Sequence, residues 1–324
     1  MLYNAPPVTG ALCILLLLQA CAGTTPRLDT RSIAPAAELT GTPFYPQEAY
    51  QCGPAALAAV VGQAGVEVTP DALRPLVYLP GREGSLQADM LATPARYGLL
   101  GVQIKPSMQA LLELVSAGYP VLVLQNLGIE SLPVWHYAVV IGYTLERHRI
   151  ILRSGLDRKL SYSIGRFERT WARAGRWAMV VVQPGEIPTG TAPLAYLQAA
   201  NVLERLQRYR LARLAYLAAA EHWPDTPLAW AGAGNSAFAM GAFAAAEAAY
   251  RQALVPEPGN VLLLNNLAVA LGEQGCRAEA LAVVDCALRQ QPDNRVLEVT
   301  AEEIRQSTAR PNDCQKFSCP LTGP

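Results

Sequence analysis

The sequence carries no excess of charge of either sign. Lys and Arg together number 26, Asp and Glu together also number 26, and the isoelectric point is near 6.8. Proteins that bind nucleic acids normally carry a basic surplus, so nucleic acid is an unfavourable partner for this chain. We also find no glycine-rich phosphate loop and no carboxylate pair in a setting typical of glycosidases, which argues against ATP-driven transport and glycoside hydrolysis.

Long apolar runs are also missing. The apolar segment 11–20, ALCILLLLQA, has about ten residues, whereas a helix that spans a bilayer needs about twenty. That length suits the apolar part of a secretory signal peptide. We therefore predict export of the chain and no polytopic membrane domain.

The segment ends in Leu18-Gln19-Ala20-Cys21, which resembles a bacterial lipobox. The resemblance implies a signal peptide over 1–20, acylation of Cys21 and a lipid anchor in the membrane. Because no Asp follows Cys21, it also implies the outer membrane, facing the periplasm. No Lys or Arg precedes the apolar run, so an ordinary cleaved signal or an uncleaved anchor is the alternative.

The seven cysteines include no C-x-x-C pair next to a histidine cluster. A structural zinc site is therefore not expected, and we predict neither a metal nor a cofactor. Four cysteines lie near the carboxyl end, namely Cys276, Cys286, Cys314 and Cys319. An even number in an exported chain permits two disulfides, with three possible pairings.

The chain divides into two structured parts. Small and polar residues over 21–40 predict a tether, and the Pro- and Gly-containing stretch 184–192 predicts a linker. Between them, over 41–183, helical patterns precede short β-type runs, which indicates an α+β domain. The predicted helices are 54–63, 71–76, 85–97 and 107–116, and the predicted strands are 121–124, 137–143, 149–152 and 179–183.

A repeat follows with a period of 34 residues, giving the units 193–226, 227–260 and 261–294. Small residues recur at Ala212, Ala246 and Ala280, and a proline closes each unit at Pro224, Pro258 and Pro292. These positions resemble the tetratricopeptide (TPR) pattern, which implies an all-α TPR solenoid with a surface for a protein partner. Residues 295–324 are expected to supply a capping helix and a cysteine-containing tail.

Cys52 and His136 are the residues that could carry nucleophilic chemistry. Cys52 stands directly before Gly53-Pro54 at the start of a predicted helix, where backbone N–H groups and the helix dipole are expected to lower the pKa of a thiol. Of the three histidines, His148 lies in a charged turn and His222 ends a repeat helix, whereas His136 opens an apolar strand. A buried structural cysteine and a core histidine are the alternatives.

The segments CGPAAL at 52–57 and WHYAVVIGY at 135–143 resemble the bacteriocin-processing, double-glycine-leader cysteine peptidases, in particular the lipoproteins that join this domain to TPR repeats. The resemblance implies a papain-like fold with Cys52 as the nucleophile and His136 as the general base and acid. It assigns to Gln47 the side-chain N–H that donates to the oxyanion of the reaction, and Gln51, directly before Cys52, is the alternative. The family's His-orienting Asp or Asn is missing, and Ser154 stands at its position.

These features predict a cysteine peptidase that acts on a peptide or protein substrate. A catalytically silent binding lipoprotein is the main alternative, because the third residue of the expected triad is not a carboxylate. A thiol acyltransferase or an amidase on the same fold is a third possibility. Rapid alkylation of Cys52 at pH 6 to 7 that slows in His136→Ala is the result expected of the enzyme.

Overall fold

A computed structural model describes residues 28–46, 52–307 and 314–319. The predicted signal peptide, Cys21, Gln47 and Gln51 lie outside the described residues. The described chain forms an α+β domain followed by consecutive helices, and the predicted fold class is confirmed.

The first domain contains nine strands and five α-helices within the described residues. The strands are β1 (Ala36–Glu38), β2 (Tyr78–Leu79), β3 (Gly84–Ser85), β4 (Leu100–Gln103), β5 (Val121–Asn126), β6 (Trp135–Thr144), β7 (Arg149–Ser154), β8 (Asp157–Ser163) and β9 (Ala178–Val182). The helices are α1 (Cys52–Gln63), α2 (Pro70–Val77), α3 (Gln87–Ala92), α4 (Met108–Ser116) and α5 (Ile164–Ala172).

The main sheet is antiparallel, with the strand order β4-β9-β5-β6-β7-β8, and β1 pairs with β6. Because successive side chains of a strand point to opposite faces, the strands contribute to two separate cores. In β6, Tyr137 and Val139 pack on the face covered by α1, whereas Ala138 and Val140 pack on the face covered by α4 and α5. The predicted active-site strand is therefore buried on both faces.

The domain starts earlier in the chain than the sequence predicted. Ala36–Glu38 pairs with Thr144, Tyr143 and Gly142 of β6, and Ile33 is buried in the core. Gly142 accommodates this approach, since a Cβ there would lie 2.5 Å from the carbonyl oxygen of Ala37. Residues 28–40, assigned to the tether over 21–40, thus belong to the folded domain.

Two elements beside the site were not predicted from the sequence. β8 extends the sheet beyond β7, and α5 follows it, with the Ser163 hydroxyl accepting from the Arg166 amide in its first turn. Ile164, Phe167 and Trp171 are the apolar residues that α5 buries against the sheet. Between the predicted helices and strands the structure also places the short strand β4, which pairs with β9 at the edge of the sheet.

The second part of the chain consists of helix pairs. They are α6 (Pro193–Arg205) with α7 (Tyr209–His222), α8 (Pro227–Ala239) with α9 (Phe243–Ala253), and α10 (Val261–Glu273) with α11 (Arg277–Gln290). The first helices of the pairs start at Pro193, Pro227 and Val261, the first residues of the 34-residue units. Helix α12 (Arg295–Gln306) packs after them, capped at its start by Asn294.

The predicted linker 184–192 does not separate the two parts into independent bodies. Tyr196 and Leu197 of α6 lie in the same hydrophobic core as Val102 of β4, and Ile187 of the linker packs against that core. The Tyr196 hydroxyl also accepts a hydrogen bond from the Gly185 amide at 3.1 Å. The first helix pair is thus part of the structure that supports the sheet.

Two disulfides tie the tail to the last helix pair. Cys276 is bonded to Cys314, and Cys286 is bonded to Cys319. Phe317 packs against the same core as the disulfides, and Arg251 of α9 donates to the carbonyl oxygen of Gln315 at 2.8 Å. This pairing is one of the three that the sequence left open.

Candidate active site

Helix α1 begins at Cys52 and runs through the core beneath the sheet. Pro54 suits its first turn, because proline lacks an N–H that a helix start would leave unpaired. Gly53 to Val61 are all buried, and the run of alanines lets the helix lie close to β6. Cys52 is half-buried at the end of this helix.

Gly53 provides the space for a close contact between α1 and Ser85 of β3. A Cβ at this position would lie 2.2 Å from the Ser85 hydroxyl oxygen and 3.6 Å from the Tyr137 ring. The Tyr137 hydroxyl in turn donates to the carbonyl oxygen of Ser85 at 3.0 Å. A larger residue at position 53 would therefore collide with the Ser85 side chain of β3.

Burial raises the pKa of the Cys52 thiol. Hydrogen bonds from the backbone N–H groups of Tyr137, Gly53 and Cys52 itself act in the opposite direction, but they are the smaller effects. The prediction of a lowered pKa at this helix start is therefore wrong, because desolvation of the thiolate outweighs the favourable amide groups. In the free protein at neutral pH, Cys52 is a thiol.

The Tyr137 amide places the thiol beside the predicted base. The N–H groups of a strand lie in the plane of the sheet, so a sulfur that accepts from this amide lies level with β6. The nitrogen of Tyr137 is bonded to the carbonyl carbon of His136. The structure thus brings the sulfur next to the backbone of His136.

The His136 ring is held by Ser154. Its Nε2 lies 2.8 Å from the Ser154 hydroxyl oxygen, and Ser154 is buried at the end of β7. When Nε2 carries the ring proton and donates it to Ser154, Nδ1 keeps its lone pair and can act as a base. In the described part of the chain no hydrogen bond joins this ring to the Cys52 thiol.

Burial lowers the pKa of the His136 ring. A buried imidazole is harder to protonate, so at neutral pH the ring is uncharged. Together with the protonated thiol, this gives a resting pair in which neither partner is ionised. The proton must then move from sulfur to nitrogen during attack on a carbonyl group.

The other two histidines do not approach this site. His148 has a φ of 48° in the turn between β6 and β7. His222 ends α7, where its ring packs edge-on to Trp223 with a centroid distance of 4.8 Å.

Among the described residues we find no group of three His, Cys, Asp or Glu side chains that could hold a metal ion. No helix in that part of the chain is both long and apolar enough for a membrane span.

One buried polar residue beside His136 was not predicted from the sequence. Gln125 of β5 lies directly opposite His136 in the strand register and is fully buried. Its Nε2 donates to the Thr170 hydroxyl at 2.6 Å, which links β5, the strand paired with the histidine strand, to α5. A glutamine at the end of the apolar run VLVL was the available signal, because burying an amide requires a partner.

Residues 39–179 match the model of the Peptidase_C39 like family. Among solved structures, a C39-like peptidase from Bacillus anthracis is 19% identical, with a TM-score of 0.39, and the match covers 46% of this chain and 98% of that chain. The peptidase domain of Streptococcus ComA, a bi-functional ABC transporter involved in a quorum-sensing pathway, is 23% identical, with a TM-score of 0.35, over 44% and 98% of the two chains.

For the helical part, the TPR domain of Arabidopsis OM64 is 18% identical, with a TM-score of 0.34, and the match covers 35% of this chain and 94% of that chain. No curated protein matches the sequence. The first domain of this chain is therefore similar to the Peptidase_C39 like family over the residues that include Cys52, His136 and Ser154.

Proposed function

We propose that this chain is a cysteine peptidase in which Cys52 is the nucleophile, His136 the base and acid, and Ser154 the residue that orients His136. The observation that carries the proposal is the site at the start of β6. There the sulfur accepts from the Tyr137 amide, and Nε2 of the preceding histidine lies 2.8 Å from Ser154.

In the proposed reaction the Cys52 sulfur attacks the carbonyl carbon of the scissile bond, and its proton passes to Nδ1 of His136. Hydrogen bonds between catalytic groups often form fully only when the substrate binds. The proposed reaction requires that Nδ1 of His136 then comes within hydrogen-bond distance of the Cys52 sulfur. The C–N bond then breaks, and the leaving amine takes the proton from His136. Water, deprotonated by His136, hydrolyses the thioester and frees the thiol.

The oxyanion formed in both steps needs N–H donors. The Cys52 amide at the start of α1 is one candidate, and the side-chain amide of Gln47 is the second. Removal of one such donor typically costs about 3–4 kcal/mol of transition-state stabilisation. Gln47→Ala is therefore expected to reduce kcat by about two to three orders of magnitude, whereas Gln51→Ala is expected to have little effect.

Acylation of Cys21 and anchoring in the outer membrane, with the folded chain facing the periplasm, complete the proposal. Mass spectrometry of the amino-terminal peptide tests this part, since a diacylglycerol adduct on Cys21 is expected and Cys21→Ala would abolish it. The helix pairs would provide the surface for a protein partner or a substrate segment. Leu194, Leu228 and Leu262 lie at equivalent positions along a groove of 510 Å³ lined by α6, α8 and α10.

The alternative is a silent binding protein, and one observation favours it. Ser154 is a neutral partner for His136, and loss of the carboxylate at this position can reduce the rate by orders of magnitude in other enzymes. Hydrolysis of a peptide mixture by the lipid-free chain separates the two, with Cys52→Ala as the matched variant. Cleavage that disappears in Cys52→Ala supports the peptidase, and the absence of cleavage in both supports the silent protein.

A further inference from the structure

A cavity of 380 Å³ opens next to the Ser154 hydroxyl that contacts His136. Its polar inner residues are Ser154 and Thr170, both buried. Leu127, Leu160 and Tyr162 supply apolar walls. The cavity is thus amphipathic and lies beside the histidine side of the proposed active site.

Three arginines of one helix face complete the cavity. Arg166 and Arg169 belong to α5, and Arg173 follows its last residue. Residues with this spacing lie on the same side of a helix, so the three guanidinium groups converge on one opening. No Asp or Glu is among the residues that line the cavity. Three positive charges next to apolar walls create a local potential that attracts an anion.

These guanidinium groups retain donors for a ligand. Arg173 donates from Nε and Nη2 to the carbonyl oxygen of Asn126, and Arg166 lies over the Tyr162 ring at 4.9 Å. Glu168, the acidic residue of the same helix, is bonded at 2.6 Å to Arg176 instead. In the described part of the chain, none of the three cavity arginines forms an ion pair.

We propose that this cavity binds a carboxylate group of the peptide substrate, and so selects acidic substrates. The planar guanidinium group matches a carboxylate with two parallel hydrogen bonds, and Leu127 and Leu160 can contact the carbons that carry it. The assignment of this carboxylate to the substrate rests on the proposed function. Ser154 lines the cavity and also contacts His136, so a group bound in the cavity would lie beside the proposed active site. The carboxylate belongs either to a Glu side chain or to the carboxyl end of the peptide.

A binding experiment on Cys52→Ala tests the cavity without requiring turnover. The full lipid-free chain is titrated calorimetrically with four probes: N-acetyl-glutamate α-amide, N-acetyl-glutamine α-amide, N-acetyl-leucine and N-acetyl-leucine amide. The first and third carry a carboxylate, and the second and fourth are their neutral counterparts. We expect at least one acid to bind about tenfold more tightly than its amide, and the preferred acid identifies the source of the carboxylate.

The Arg166→Gln/Arg169→Gln double variant locates the site. It is expected to reduce the preference for the acid to less than about threefold, whereas Arg289→Gln, an exposed arginine of α11, should leave it unchanged. Equal binding of both acids and their amides overturns the proposal, as does an acid preference that survives in the double variant. The binding experiment uses Cys52→Ala and therefore does not depend on catalysis. If the chain were not a peptidase but the cavity did bind carboxylates, the preference for the acid over its amide would still be observed. Failure of this proposal can therefore be distinguished from failure of the proposed function.

Discussion

At Cys52, burial and the amino terminus of a helix act on the same thiol in opposite directions, and burial has the larger effect. The residue type and its position at a helix start were visible in the sequence. The direction of the pKa change was not, because it depends on how much protein covers the sulfur. Gln125, by contrast, faces His136 only through the pairing of β5 with β6, which no local motif reveals.

The alkylation rate of Cys52 is expected to depend on pH as that of a buried, protonated thiol. Its raised pKa means that thiolate accumulates only above about pH 8.5, the range of an unperturbed cysteine. The raised pKa reverses the rapid alkylation at pH 6 to 7 that the sequence predicted for an enzyme. Iodoacetamide should therefore label Cys52 slowly at pH 6 to 7 and faster above pH 9, and His136→Ala should change the rate at pH 7 by less than about threefold. If the alkylation rate were instead constant between pH 5 and 7 and fell in His136→Ala, Cys52 and His136 would form a thiolate–imidazolium pair, which would contradict this prediction.

Turnover is expected to persist into mildly acidic conditions. The pKa of His136 is lowered by burial, so the ring stays neutral and basic below its ordinary value of about 6.5. Any stability that this shift contributes is present above that value and is lost as the pH falls through the lowered pKa. We expect the acid limb of kcat/KM, which reports the free enzyme, to fall below pH 6.5, and a limb centred above 7 would contradict a neutral resting imidazole.

Substitution of Ser154 tests its role in orienting His136. Ser154→Ala removes the partner at 2.8 Å and should lower kcat by about 10- to 100-fold with a smaller change in KM, whereas Ser154→Asp should restore or exceed the original rate. Ser161→Ala is a matched control, since Ser161 accepts from Arg149 on the next strand and does not touch the site. Equal rates in Ser154→Ala and the original chain would remove Ser154 from the mechanism.

At the scale of the elements, the close approach of α7 to α8, which belong to neighbouring helix pairs, depends on a glycine. In α8, a Cβ at Gly232 would lie 2.5 Å from the Tyr216 ring of α7, and the Tyr216 hydroxyl is held by Glu204 at 2.8 Å. The tyrosine therefore cannot move aside freely. The 34-residue period predicted the helix pairs but not this contact, because the positions equivalent to Gly232 in the other two units are Gln198 and Asn266.

Gly232→Ala is expected to destabilise the chain even though alanine is the better helix former. The gain in helix propensity is about 1 kcal/mol, and overpacking costs about 1–3 kcal/mol, so we expect a net loss of up to about 2 kcal/mol. Urea unfolding measures it. Gly165→Ala in α5 is the control, because the nearest atom to its Cβ is Arg169 Nη1 at 3.8 Å and the change should stabilise. Stabilisation by both substitutions would contradict the close packing.

Other elements could not be predicted equally well. β8 reads DRKLSYS and is exposed or half-exposed along its length, so it has no apolar alternation that would predict a strand. It forms because β7 leaves its edge free for pairing. Helix α5 did offer a signal, since Ser163 caps a segment with apolar residues at Ile164, Phe167 and Trp171. Its many charged residues masked that pattern.

At the scale of the whole molecule, the two parts of the chain share one hydrophobic core. Residues of β4, β5, β6 and α5 pack in the same cluster as Tyr196, Ala212 and Tyr216 of the first helix pair. The sequence located the boundary between the parts from its Pro and Gly content. It could not reveal that α6 packs against the edge of the sheet, because that contact depends on the tertiary arrangement.

The shared core predicts that the chain unfolds as one cooperative unit through the first helix pair. Tyr196→Ala, which empties a fully buried position, should lower the stability by about 3–5 kcal/mol and shift the unfolding of the sheet as well as that of the helices. Calorimetry checks this, together with tryptophan fluorescence in a background in which Trp223 and Trp230 of the helical part are replaced by Phe, so that Trp135, Trp171 and Trp177 report on the first domain alone. Leu194→Ala is the control, since Leu194 is 60% exposed. Unchanged unfolding of the first domain in Tyr196→Ala would show independent domains.

The most direct test of the central claim is hydrolysis of a quenched fluorescent peptide library that includes acidic sequences by the lipid-free chain, compared with Cys52→Ala and His136→Ala. We predict cleavage by the original chain and a loss of at least about a thousandfold in each variant, because the two side chains act as one unit. Cleavage that persists in Cys52→Ala, or no cleavage by the original chain, would contradict the peptidase mechanism at this site.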